Sequence, residues 1–188
     1  TAEELKPLLD TAFGSLPEKA APVAVAEVTP AADGATIVRD MAIPQSTATF
    51  GHGGITRDDP DWYTAYALNY ILGGGFASRL MEEVREKRGL AYSVYSYLYP
   101  LDAAGIVLGG VATGNDRFAR SLEVIRTVWR DYAENGPTET ELADAKRYLT
   151  GSWPLKLDGT DDVAGILVAM QRHALGIDYL DRRNALIE

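Results

Sequence analysis

Between Leu72 and Val94 the sequence reads LGGGFASRLMEEVREKRGLAYSV, so a glycine turn, a charged helix and an aromatic strand follow one another without a spacer. Such a run must reverse direction at Gly89, because glycine takes up the turn conformations that close a helix and release a strand. It sets Arg85 and Tyr92 seven positions apart, one near the end of the helix and the other on the departing strand. Two strong hydrogen-bond donors at such a junction can point into one cleft, an arrangement suited to gripping a peptide.

The flanking pattern predicts an α+β fold, an antiparallel β-sheet packed against several α-helices. Leu5, Leu8, Leu9 and Phe13 recur at helical spacing behind Thr1, a candidate N-cap, and Gly14 is a candidate stop. Ser15 to Gly34 is rich in Ala, Pro and Val and reads as an extended connector, since Pro17, Pro22 and Pro30 oppose a helix. Alternation predicts strands over Ala35–Met41 and Gln45–Ile55, then a helix from about Asp61 to Leu72, entered through Asp59 and Pro60. A second helix runs to about Arg88. Strands over Tyr92–Tyr99 and Leu101–Ala112 form an antiparallel pair turning near Pro100-Leu101-Asp102. The four tyrosines 92, 95, 97 and 99 fall on two strand faces, which predicts that some are core.

Further on, Phe118, Leu122, Ile125, Val128, Trp129 and Tyr132 mark an amphipathic helix stopped by Asn135-Gly136. Thr138 and Glu141 form a capping box for the next helix, which Trp153-Pro154 ends or bends. Two further helices fit Asp161–Leu175 and Asp178 onward. The 188 residues are read as one α+β domain, and the start at Thr1 suggests a fragment of a longer two-domain chain.

Chemistry is narrowed by what the composition lacks. Eighteen basic and 27 acidic residues give a net charge of −9, which disfavours nucleic acid and anionic lipid surfaces as partners. Cysteine is absent, removing disulfides, thiolate metal sites and cysteine nucleophiles. No apolar run suggests a membrane span or signal peptide, so a soluble protein is expected, in cytoplasm or periplasm. Gly73, Gly74 and Gly75 could cradle a phosphate, but neither the P-loop nor the dinucleotide fingerprint is present, and a helix-to-helix turn explains them better. His52 and His173 stand apart and belong to no His-x-x-Glu-His or His-Glu-x-x-His array. The acidic groups Asp58-Asp59-Asp61 and Asp158, Asp161, Asp162 miss the calcium-loop register and suit helix starts. For Arg85 itself, a solvated helix face is the alternative to a site, with Glu83 and Lys87 paired beside it.

As an ordered set, DPDWYTAYALN, LGGGFASRLMEEVREKRGLAYSV and TETELADAKRYLTGSWPL resemble the C-terminal, non-zinc-binding half domain of pitrilysin/insulinase-type zinc peptidases, as in bacterial processing-peptidase-like proteins. The resemblance implies paired, similar α+β half domains around a chamber, with His-x-x-Glu-His zinc chemistry in the other half. It assigns Arg85 and Tyr92 to substrate or transition-state stabilisation and Gly73 to Gly75 to a substrate-contacting loop. It implies no cofactor in this chain, zinc in a partner half domain of the same chain or a separate subunit, a peptide substrate, and no activity alone. An inactive scaffold of the same fold, like the core subunits of some respiratory complexes, is the alternative.

Overall fold

The computed structural model describes residues 1–19, 23–31 and 33–188. Three antiparallel strands, β1 (Gln45–Gly53), β2 (Ser93–Leu101) and β3 (Ala104–Gly114), form a sheet in the order β1-β3-β2. The expected hairpin is there, with Ser93 opposite Ala112 and Leu101 opposite Ala104. Its turn falls at Asp102-Ala103, beyond Pro100, which pairs with Gly105 within the strand.

Helix α3 (Asn115–Asn135) follows β3 directly and packs Val124, Ile125 and Val128 against Val94 and Val111 of the sheet. Leu80 and Val84 complete this core at zero exposure. Burying side chains of this size stabilises by about 1.5–3 kcal/mol each, which fixes the Met81–Glu86 segment against the sheet. The opposite sheet face carries Tyr95, Tyr97 and Tyr99, all partly exposed, with Leu108 in register with Tyr97. None of the four tyrosines is core. The odd-numbered three share the outer face by the two-residue strand period, and Tyr92 precedes the first paired residue.

Helix α1 (Ala2–Phe13) has the expected cap, expanded to a full capping box with Glu4, and buries no residue. Pro22 of the predicted connector lies outside the described residues. Ala35–Met41 forms no strand, and Ile37, Val38 and Met41 are exposed. β-Branched residues favour a strand only where a pleated, half-buried surface awaits them, and this segment has no ladder.

Helix α2 (Trp62–Asn69) runs on into a π-helical turn, Tyr70–Gly74, and the next helical segment, Met81–Glu86, is π-helical as well. Helix α4 (Glu139–Gly151) starts at the predicted Thr138–Glu141 box. It ends before a short 3-10 helix, Trp153–Leu157, that holds Pro154. Helix α5 (Thr160–Arg172) and the short α6 (Tyr179–Arg182) close the chain, with Trp153, Met170 and Tyr179 as a separate apolar cluster. The α+β class with an antiparallel sheet is therefore borne out. Among the described residues, no helix is long and apolar enough to cross a membrane.

Candidate functional site

The turn between Arg85 and Tyr92 is an αL closure. Gly89 takes φ +58°, its N–H donates to the Arg85 carbonyl at 2.8 Å, and the Leu90 N–H donates to the Val84 carbonyl at 2.8 Å. An L side chain at Gly89 would strain this left-handed conformation, so glycine is the residue that lets helix and strand meet. Leu90 then receives a hydrogen bond from Thr113 Oγ1 on β3, tying the turn to the sheet.

Across this turn the Arg85 guanidinium carbon lies 4.8 Å from the Tyr92 ring centre and 5.0 Å from that of Phe76. The two rings attract the cation through their negative faces and limit where it can swing. Tyr92 is 82% exposed and Phe76 73%, whereas the Arg85 side chain is 28% exposed. Glu86 Oε1 is 3.3 Å from Arg85 Nε, an exposed pair between neighbours in sequence. The charged face beside the site behaves as predicted, with Lys87 Nζ 2.6 Å from Glu83. Arg85 and Tyr92 both line a cleft of about 280 Å³ with Gln45, Gly89, Thr113 and Arg117. The structure thus brings Arg85 and Tyr92 together.

Gly73 to Gly75 lie outside that cleft lining, at the end of the π turn. Gly73 is buried, and a Cβ there would sit 2.5 Å from Ser96 Oγ and 2.7 Å from Ser96 N. Close approach of helix to strand is its reason. Asn69 reinforces the approach through hydrogen bonds with the Ser96 carbonyl at 3.2 Å and hydroxyl at 2.8 Å. Gly74 is exposed, and the triplet delivers Phe76 to Arg85. Phe76, Gln45 and Arg117 were missed in the sequence reading. An aromatic directly after a glycine turn is a signal that could have found Phe76, whereas nothing in the sequence joins Gln45 or Arg117 to Arg85.

Among the described residues no group of three His, Cys, Asp or Glu side chains could hold a metal ion. His52 packs edge-on against Trp129 at 5.8 Å, with Nδ1 2.6 Å from the Gly53 carbonyl oxygen. His173 is held below the usual imidazole range by burial first and by Arg57 and Arg172 next.

Residues 1–149 match the family model described as the Peptidase M16 inactive domain. The chain belongs to this family. The M16 inactive domain is the half that the sequence pattern pointed to. One relative, the non-peptidase homolog YmxG of Helicobacter pylori, is 40% identical over 89 residues, which are 47% of this chain and 21% of that protein. The uncharacterized zinc protease YmxG of Bacillus subtilis is 32% identical over 125 residues, 66% of this chain and 31% of its own length. A crystal structure of a peptidase M16 inactive domain from Pseudomonas fluorescens superposes with a TM-score of 0.66 at 40% identity, over 76% of this chain and 34% of that one. The M16 chain here therefore spans between about a fifth and a third of the length of these curated relatives.

Proposed function

We propose that this M16 inactive domain is the substrate-gripping half of a bipartite zinc metalloendopeptidase that cleaves peptides or unfolded segments. Zinc and the bond-breaking chemistry reside in a partner half domain, of the same chain or of a separate subunit. The observation that carries the reading is the packing of Arg85 over the Phe76 and Tyr92 rings, with Arg85 and Tyr92 lining a cleft. Arg85, packed over both rings, offers its guanidinium N–H donors to substrate carbonyls. The exposed Tyr92 hydroxyl donates toward a substrate carbonyl or a developing oxyanion. Gly73, Gly74 and Gly75 serve the same grip, Gly74 as accessible backbone and the triplet as the turn that places Phe76.

The test is peptide cleavage by the assembled enzyme, this domain together with its zinc-binding half. Losing one well-placed donor costs about 2.7–4 kcal/mol of transition-state stabilisation. Tyr92→Phe and Arg85→Ala are therefore expected to lower kcat/KM by about 10²–10³-fold without changing assembly. Unchanged cleavage in both variants refutes the grip.

A second reading, an inactive scaffold of the same fold, is favoured by the relative named a non-peptidase homolog. It expects an assembled protein with no zinc-dependent cleavage at all.

A further inference from the structure

We infer that the cleft beside Arg85 selects a substrate carrying a carboxylate, and that Arg117 is the residue that reads its charge. This rests on the substrate-gripping reading above. Two guanidiniums from separate elements, Arg85 of the π-helical segment and Arg117 of the first turn of α3, line the one cleft. Among the described residues its lining holds no Asp or Glu, in a chain whose net charge is −9, and the carboxylates beside the two guanidiniums, Glu86 and Asp116, are both exposed outside it. A cation-lined recess in an acidic molecule concentrates anions locally, because low-dielectric walls focus the field of the charges that line it.

Arg117 is anchored where it matters. Its Nη1 donates at 3.2 Å to the carbonyl of Gly89, the turn residue that sets Arg85 against Tyr92. Its acidic neighbour, Asp116, lies 3.8 Å from Nε and is 82% exposed, a pair that water screens heavily. The rest of its donor fork is left for a ligand. A backbone carbonyl is neutral and needs one or two N–H donors, which Arg85 alone supplies. A second guanidinium adds charge and donors that only an anionic group uses, and the planar fork matches a carboxylate. The cleft, at about 280 Å³, has room for a side chain or a chain end rather than a folded segment. Gly114, the N-cap of the 21-residue α3, also lines it and adds helix-terminal polarity of the same sign.

The carboxylate has two sources, an acidic side chain or the peptide C-terminus. Labelled unstructured peptides that differ only in one central Glu or Gln, each made as C-terminal acid and amide, are titrated with the full-length protein and followed by fluorescence anisotropy. The carboxylate form is expected to bind about tenfold tighter than its neutral counterpart, at low salt. The Glu/Gln pair and the acid/amide pair identify which source carries the preference. Arg117→Gln is expected to bring the favoured peptide down to its neutral counterpart, and Arg117→Lys to restore part of the preference through charge alone, with circular dichroism unchanged. Equal affinities across all four peptides in the wild type overturn the inference, as does a preference that survives Arg117→Gln. If Arg85→Ala weakens every peptide alike while no carboxylate preference exists, gripping stands and charge selection falls. If no peptide binds saturably, both fall.

Discussion

A methyl group at Gly73 would meet Ser96 through both its hydroxyl and its backbone nitrogen, and the second cannot rotate away. Gly73→Ala is therefore expected to destabilise by about 1–3 kcal/mol in urea denaturation, the range for overpacking a fitted contact. Gly165 makes the control. It lies exposed in the interior of α5 with no atom within 4 Å of an added Cβ, so Gly165→Ala should stabilise by about 0.5–1 kcal/mol. Equal effects at the two positions would show that helix propensity, not strand contact, governs Gly73. Glu141 supplies a pH-dependent counterpart. Its carboxylate accepts from Arg79 Nε at 2.6 Å and Nη2 at 2.7 Å, and these bonds, assisted by Thr138, hold its pKa at about 2 against an ordinary 4.5. A depressed folded-state pKa means stabilisation that is complete above about 4.5 and disappears as pH falls towards about 2. Urea denaturation of wild type and Glu141→Gln should show the largest gap above pH 4.5, closing by pH 2. A gap independent of pH would show that the charge of the Glu141 carboxylate is not its source.

Helix α1 has a clear apolar stripe, Leu5, Leu8, Leu9 and Phe13, and all four residues are exposed. Because it contributes no buried residue, deleting residues 1–13 is expected to move Tm by less than about 2 °C in thermal denaturation, given that 1 kcal/mol shifts a chain of this size by about 2–4 °C. A fall beyond about 5 °C would mean that α1 packs on the rest of the chain in solution. Elements were legible wherever local chemistry decides them. Thr1, Thr138 and Glu141 marked helix starts because a cap is satisfied within four residues. The 3.6-residue stripe of α3 likewise reported a face that is buried. Ala35–Met41 was misread because a strand is completed by its neighbour, and β-branched composition says nothing about whether a neighbour exists. The two π-helical turns left no pattern to read, since each lasts barely one turn.

At the scale of the molecule, helices cover one face of a three-stranded sheet, and the other face presents a row of tyrosines. Half of the candidate site could be read along the chain, because Arg85, Gly89 and Tyr92 lie within one turn and one strand start. Phe76 reaches Arg85 from the turn after the π-helical Tyr70–Gly74, Arg117 and Gln45 reach the cleft from α3 and β1, and only folding brings them there. The stacking of Arg85 has a thermodynamic consequence. A free arginine side chain carries about 2 kcal/mol of rotamer entropy, and a guanidinium packed over two rings has given up part of it before any ligand arrives. Capture by Arg85 therefore costs little further ordering, so removing Phe76 should leave the contacts available to a bound peptide intact while making its association entropically less favourable.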